Sequence, residues 1–375
     1  MFTTQNKRVT VSVINDLSSD NRVKKTCNEF VAMGFKVTLI GRELPSSTPI
    51  KNWNFDTKRM KLLFKKGVLF YAFFNFRLFF YLLFKKSDVL YANDLDTLLP
   101  NYLVSKLKGT KLIYDSHEIF CEVPELQETP FKKRIWERLE KRIVPKLKYC
   151  ITVNQSIANY FKKKYGTEFK VVRNIPAEVN GQPIKDRSEL GIKPGIKMIV
   201  LQGAGINIQR GAEELVMAMK FLEGAQLFVI GGGDVWNKLE QLVKENKLED
   251  KVKLIKRIPK EELANYTFNA DLGISIDKDT NLNYSYSLPN KIFDYIHAEV
   301  PILASKLIEI ESLISKFNIG AFITSHEPEH IAERIGWMLH SPDYKLWKSN
   351  LKQAKKALTW EEERKVLINL VHSMN

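Results

Sequence analysis

The apolar run KMIVLQG ends at Gly203-Ala204-Gly205, and Arg210-Gly211 follows at the start of the next helical stretch. Glycines placed after a strand let backbone amides approach a diphosphate, while a helix N-terminus and an arginine add positive charge. The spacing stops short of a dinucleotide fingerprint, because Ile208 stands where GxGxxG needs glycine. A phosphate-bearing ligand is therefore expected, and NAD is not. Gly231-Gly232-Gly233 closes the following strand and reads equally as a second close ligand approach or as a plain strand-to-helix turn. Further on, Ser287-Leu288-Pro289-Asn290-Lys291 opens another helix. A proline near a helix start leaves the next amides free to face an anion. Lys291 adds charge, and Asp294 at i+3 can accept hydrogen bonds from a ribose diol. Taken alone, this last segment is also an ordinary capped helix with a surface lysine and aspartate.

Two carboxylate pairs invite a metal reading. Asp94-Leu95-Asp96 and Asp277-Lys278-Asp279 each place acids two residues apart, a spacing that can hold Mg²⁺ or Mn²⁺ through substrate phosphates. The first pair lies far along the chain from the diphosphate residues, and Lys278 is expected to compensate the second. No metal is expected, since Arg210, Lys291 and helix amides can stabilise phosphate charge without one. The cysteines Cys27, Cys121 and Cys150 are odd in number and form no CxxC pair, which argues against a disulfide framework or a thiolate zinc site.

The elements that must position these residues alternate along the chain. VTVSVI, a helix from Asn21 to Met33, KVTLIG, DVLYAN, a helix around Leu98 to Leu107 and KLIYDSHE follow in order. A charged helix from Phe131 to Lys148, YCITVN and a helix from Ser156 to Tyr165 complete the first half. Short apolar strands between such helices indicate a parallel sheet buried on both faces. The stretch from Arg173 to Gly195, rich in Pro, Gly and Asn, breaks the pattern and reads as a linker. A second series then begins at KMIVLQG and becomes helical from Glu327 to the end. The expected architecture is α/β, two doubly wound Rossmann-like domains facing a central cleft. The first covers residues 1–180 and the second 181–358, with a terminal helix over 359–375. Ligands of such sheets sit beyond the carboxyl ends of the strands.

At 375 residues, with a formal net charge of +15, the chain has ordinary globular composition, and collagen-like or disordered classes are excluded. The positive excess is concentrated. Lys51 to Lys86 holds nine Lys/Arg against Asp56 alone, and Lys132 to Lys148 holds eight against Glu137 and Glu140. Nucleic acid, an anionic leaflet or simple solvation would each suit such clusters. Between the lysines, Gly67 to Phe84 carries nine aromatics in eighteen residues, with Asn75 and Arg77 at its centre. Its helical length of roughly 27 Å is marginal for a bilayer, and spanning would split one sheet across the membrane. Core packing or docking in the membrane interface remain. The N-terminus lacks the pattern of a signal peptide, so a cytoplasmic protein is expected, peripheral at the inner membrane face if the helix docks.

The run PNKIFDYIHAEVPILAS resembles the donor-site segment of family-four (group 1) retaining glycosyltransferases, whose fold is the two-domain GT-B type. The resemblance implies that Asp294 binds a nucleotide ribose and that backbone around Leu288, Pro289, Asn290 and Lys291 holds the diphosphate. It implies that Arg210 neutralises the pyrophosphate, with Gly203, Gly205 and Gly232 close to the donor. YANDLDTLLP and KLIYDSHE look like the family's acceptor-side loops, with His117 at the position of its active-site histidine. Acceptor contacts are then expected from Asp16, Asp20, Arg22, Asp94, Asp96 and His117. Thr359-Trp360-Glu361 resembles the start of a terminal helix that returns to the first domain. The chain also departs from the family pattern: Tyr286 stands where a glutamate usually meets the donor sugar, Glu299 replaces a glycine, and NDLSSDNRV takes the place of a glycine-rich loop.

The resemblance implies a metal-independent, hexosyltransferase-type enzyme that needs no cofactor beyond its nucleotide-sugar donor. It would move a sugar from a UDP or GDP donor to a glycan or lipid-linked acceptor, with retained configuration, in cell-surface polysaccharide assembly. His117, Arg210 and Lys291 are the catalytic candidates. An isomerase of nucleotide sugars on the same fold would need an additional acid/base set, which the sequence lacks. A nucleic-acid-binding module would leave the donor motif unexplained, so no nucleic-acid partner is expected.

Overall fold

Short runs of β-branched and aromatic residues form strands whose two faces are both covered, as in the fully buried Val89–Asn93 and Ala225–Gly231. The computed structural model describes residues 6–45, 47–64, 66–176 and 185–374. They divide into two units. One runs through Asn174 and includes the chain from Glu363 onward; the other is Ile175–Glu362. The expected boundary at 180/181, like Lys65, lies outside the described residues.

The first unit holds β1 (Arg8–Asp16), β2 (Lys36–Glu43), β3 (Asp56–Lys61), β4 (Val89–Asn93), β5 (Lys111–Ser116), β6 (Tyr149–Thr152) and β7 (Lys170–Val171). They form one parallel sheet in the order β3-β2-β1-β4-β5-β6-β7. In the second unit β8 (Lys197–Gly203), β9 (Ala225–Gly231), β10 (Val252–Lys256), β11 (Leu272–Ser275), β12 (Ile302–Ser305) and β13 (Gly320–Ile323) form a parallel sheet ordered β10-β9-β8-β11-β12-β13. Both sheets wind outward from a central first strand and then reverse, which is the doubly wound order. Each therefore has a switch point: β1/β4 in the first unit, β8/β11 in the second. The edge strand β3 escaped the sequence pattern because DTKRMK is polar and largely exposed there.

The helices fall close to their expected positions, among them Asn21–Ala32, Leu95–Lys108, Pro130–Ile143 and Asn290–His297. Ile308–Phe317 is an additional helix between PILAS and GAFI. In the terminal helix Trp360–His372, Glu363 joins Arg173 of the first unit at 2.6 Å, and Arg364 Nε lies 3.2 Å from Glu29 Oε1. Cys27, Cys121 and Cys150 are buried free thiols.

The aromatic helix Gly67–Phe84 connects the β1–β3 half of the first sheet to β4 in that same sheet, so it is a crossover and does not span a membrane. Core packing accounts for one face of it. Phe70, Phe74, Leu78 and Leu82, spaced four apart, form a single buried stripe. On the remaining surface Leu69 is 60% exposed, Phe76 61% and Phe84 81%. The two central polar residues tie the helix down: Asn75 Nδ2 donates to the Asp96 carbonyl at 2.9 Å, and Arg77 donates to the Lys61 carbonyl.

Candidate functional site

At the switch point of the second unit, the end of β8 and the start of the Asn290–His297 helix enclose a cavity of about 200 Å³. Gly203, Gly205, Arg210, Pro289, Asn290 and Lys291 all line it. Pro289 precedes the helix with φ −65°, so the first helical amides have no partner within the helix. The cavity thus collects a guanidinium, an ammonium and free amides, as an anion requires.

What holds those two cations is Asp277, two residues past β11 and fully buried. Arg210 Nη1 donates to Asp277 Oδ2 at 2.9 Å, and Lys291 Nζ lies 3.8 Å from Oδ1. The Arg210 guanidinium also rests on the Tyr284 ring at 4.6 Å. Burial lowers the pKa of Lys291, with Asp277 opposing that shift and Arg210 adding to it. The expectation that Lys278 compensates Asp277 is corrected here. Lys278 pairs with Glu214, and Asp277 is matched by Arg210 and Lys291. Sequence alone suggested Asp277 only as half of a metal pair; its position just beyond a switch-point strand was the signal for its anchoring role.

The two outer residues of the triple glycine pack against protein, while Gly232 faces open space. A Cβ on Gly231 would meet the Gly203 carbonyl oxygen at 1.8 Å, and one on Gly233 would meet that of Ile206 at 2.0 Å. Gly232 accepts from Ile206 N at 2.8 Å and donates to the Gly203 carbonyl at 3.3 Å, so it braces the cradle loop without lining the cavity. Leu288 packs on the hydrophobic core, and Tyr286 is half-buried in the turn after Leu282–Ser285; neither lines the cavity. Asp294 lies one turn into the helix, where Gln202 Nε2 donates to its Oδ2 at 2.9 Å. Gln202 is itself fixed by Thr267, whose hydroxyl donates to Oε1 at 2.6 Å. Gln202 was not singled out from sequence, since a glutamine at a strand end carries no spacing signal.

At the switch point of the first unit the polar residues form a carboxylate network around His117. Its Nδ1 lies 3.1 Å from Asp94 Oδ2, and its backbone amide donates to Asp94 Oδ1 at 2.8 Å. Its Nε2 is 3.3 Å from Asp115 Oδ2, an ion-pair distance without hydrogen-bond alignment. Burial opposes protonation of His117, but the charges of Asp94 and Asp115 overcome it and raise the pKa well above the ordinary imidazole value. Asp115 is buried, which disfavours its charge. Arg22, and then His117, outweigh that and hold its carboxyl far below the usual range. Tyr91 also donates to Asp115, at 2.7 Å. Asp94 sits at φ 58°, ψ 168°, a region costly for any residue with a side chain.

Three of the expected acceptor contacts have structural partners. Arg22 is buried; it binds Asp115 through Nε and Nη2 and the Val172 carbonyl through Nη1, so it anchors the network from behind. Asp20 caps the Asn21–Ala32 helix by accepting from Val23 N at 3.1 Å. Asp16 caps the following turn through Ser18 and accepts from Ser47 Oγ at 2.6 Å. Burial works against Asp16 ionisation, yet these hydrogen bonds and Arg59 lower its pKa overall. Asp94 and Asp96 do line a second cavity, of about 630 Å³, whose other walls come from the aromatic helix and the Pro130–Ile143 helix. Burial, then the charges of Asp94 and Glu118, push the Asp96 carboxyl well above the usual range. Among the described residues no group of three or more His, Cys, Asp or Glu side chains gathers as a metal site.

Residues 20–177 match Glycosyltransferase Family 4, and residues 185–358 match Glycosyl transferases group 1. Sucrose-phosphate synthase from Thermosynechococcus elongatus has a similar structure, with TM-score 0.83 and 15% identity over 98% of this chain and 99% of that one. HepE from Anabaena, solved in complex with UDP and glucose, gives TM-score 0.76 and 14% identity over 98% of this chain and 100% of that one. WaaG, a glycosyltransferase involved in lipopolysaccharide biosynthesis, gives 0.67 and 15% over 95% and 97%. No curated protein matches the chain by sequence. The two parallel-sheet α/β units correspond to the GT-B fold.

Proposed function

Since the chain belongs to the family-four, group 1 glycosyltransferases, we propose that it moves a hexose from a nucleoside diphosphate donor, UDP or GDP, to a hydroxyl of a glycan or lipid-linked acceptor, with retention of configuration. The observation that carries the donor half is the convergence of Arg210, Lys291 and the amides after Pro289 on one cavity. Negative charge grows on the departing diphosphate as the sugar bond breaks, and preorganised cations and amides stabilise that charge in the transition state. Lys291 sits only loosely on Asp277 at 3.8 Å, so an incoming phosphate can share it. Asp294, oriented by Gln202, anchors the ribose. These groups carry the phosphate charge without a metal. HepE, solved with UDP and with UDP-glucose, shares the architecture and supports a nucleotide-sugar donor. His117, protonated between Asp94 and Asp115, positions the sugar and the acceptor hydroxyl.

The proposed site of action is the inner face of the cytoplasmic membrane, in cell-surface polysaccharide assembly. Support for it comes from the exposed apolar face of the aromatic helix between Lys61, Lys66, Lys85 and Lys86, which suits the interface of an anionic leaflet. Calorimetric titration with UDP, GDP and other nucleoside diphosphates tests the donor, followed by donor-hydrolysis assays with and without a chelator. One nucleotide is expected to bind, and its sugar conjugate to turn over equally under both conditions. Failure of every nucleoside diphosphate to bind overturns the proposal.

A further inference from the structure

The positive charge of the second unit's cavity is smaller than its two cations suggest. Arg210 and Lys291 both lean on the same buried carboxylate, Asp277, at 2.9 and 3.8 Å. One positive charge is left over, whereas a nucleotide sugar brings a negative charge on each phosphate, and more develops as the sugar bond breaks. The loop after β8 adds nothing, because Gly203, Ala204, Gly205 and Ile206 line the cavity without a charged side chain. A group that meets this shortfall has to reach the loop from another element.

Arg257 does so. The ends of β8, β9 and β10 lie level, since Gly203 pairs with Gly231 and Gly231 with Lys256. Arg257 is the first residue past β10, two strands from the loop, a separation of about 9.5 Å at the usual strand spacing. Its side chain crosses the end of β9, where Gly231 and Gly232 present no side chain and a Cβ on Gly232 would meet nothing within 4 Å. Arg257 Nη2 then donates to the Ala204 carbonyl at 3.1 Å, on the wall of the cavity. A surface arginine without a partner points into water; this one is tied by backbone to the phosphate loop. It is exposed, and among the described residues no carboxylate pairs with it. Its charge is uncompensated, and the remaining N–H groups of its fork are open. Resting on the transfer reading above, we propose that Arg257 is a further cation of the donor site and that its guanidinium binds the diphosphate over the Gly203–Gly205 loop. The planar fork suits phosphate oxygens, and the carbonyl that fixes it belongs to the loop those oxygens approach.

The test is calorimetric titration of the full chain with UDP and GDP, paired with ligand-observed NMR titration with uridine and guanosine. For the diphosphate that the parent binds, Arg257→Ala should weaken affinity about tenfold or more, the scale of a hydrogen bond to a charged group. The matching nucleoside, which lacks the phosphates, should keep its affinity. Arg257→Lys retains the charge without the fork and should recover part of the loss. Lys256→Ala removes the same charge from the neighbouring exposed residue and should change neither ligand, which separates a local contact from the general field. Both side chains are exposed, so these replacements leave the core intact. Unchanged diphosphate affinity in Arg257→Ala, an equal loss for diphosphate and nucleoside, or an equal loss in Lys256→Ala would each overturn the proposal. A parent that binds neither UDP nor GDP overturns the transfer reading and this proposal with it, so the two failures are told apart.

Discussion

The two switch points use one sheet order for opposite chemistry. In the second unit a small cavity gathers cations, with buried Asp277 behind them. In the first unit a cavity about three times larger is lined by Asp94 and Asp96, and beside it His117 joins Asp94 to Asp115, which buried Arg22 anchors. In the second unit the groups facing the cavity are held directly by a buried partner of opposite sign, whereas in the first Asp94 is held by His117, and Arg22 acts one residue further back through Asp115. One strand order thus carries two charge arrangements of opposite sign at its switch point.

That comparison can be broken most sharply at Asp277. Asp277→Ala leaves Arg210 and Lys291 without their shared counter-ion, and removing one partner of a buried ion pair costs about 3–5 kcal/mol. Urea unfolding of the full chain measures this, and a variant as stable as the parent would show that Asp277 is not the anchor. Next in size, Arg210→Ala and Lys291→Ala should each lower kcat/KM by about 2–4 kcal/mol, the scale of a lost charge-stabilising donor. Steady-state kinetics decide it; near-parental turnover in both variants would remove them from the transition state. Asp294→Ala should weaken nucleotide binding by about 1.5–3 kcal/mol, as for a charge-assisted hydrogen bond, while leaving acceptor binding unchanged. Full nucleotide affinity in that variant would exclude the ribose contact.

On the first unit, Lys85→Gln and Lys86→Gln should each reduce co-sedimentation with anionic vesicles by about 1 kcal/mol, with no change for neutral vesicles. Equal, negligible binding to both vesicle types would exclude membrane docking. A pH series contrasts the two networks directly. His117 has a raised folded pKa, so its contribution to stability is full below about pH 6.5 and is lost as pH rises through the folded value. Lys291 has a lowered folded pKa, so its penalty is relieved as pH rises towards about 10.4. Denaturant unfolding should therefore show His117→Gln flattening a falling slope and Lys291→Met flattening a rising one. If neither variant changes the slope, the two shifts are wrong.

The second unit was the more legible in sequence because its site is built from short continuous segments. Gly203 to Arg210 and Pro289 to Lys291 each carry their spacing with them, and both reach the cavity. Leu288 packs on the core and Gly232 braces the loop, so neither lines the cavity beside those segments. In the first unit the network joins Arg22 to Asp115 across 93 positions, and Asp115 to Tyr91 across 24. No local spacing encodes such pairs, so Asp115 went unnoticed within DSHE. Asp20 also has a structural role that the sequence could have shown. An aspartate just before a helix start is a cap signal, and that reading was available in NDLSSDNRV.

The backbone at Asp94 has a consequence for how the chain responds to selection. Glycine would relax that turn by about 1–3 kcal/mol, yet it would remove the carboxylate that holds both the ring and the amide of His117. Losing that pair would cost at least as much as the strain relieved, so the strained backbone persists because the bonds to His117 hold it there. Selection at position 94 therefore acts on the pair as a unit, and drift in one residue is checked by the other.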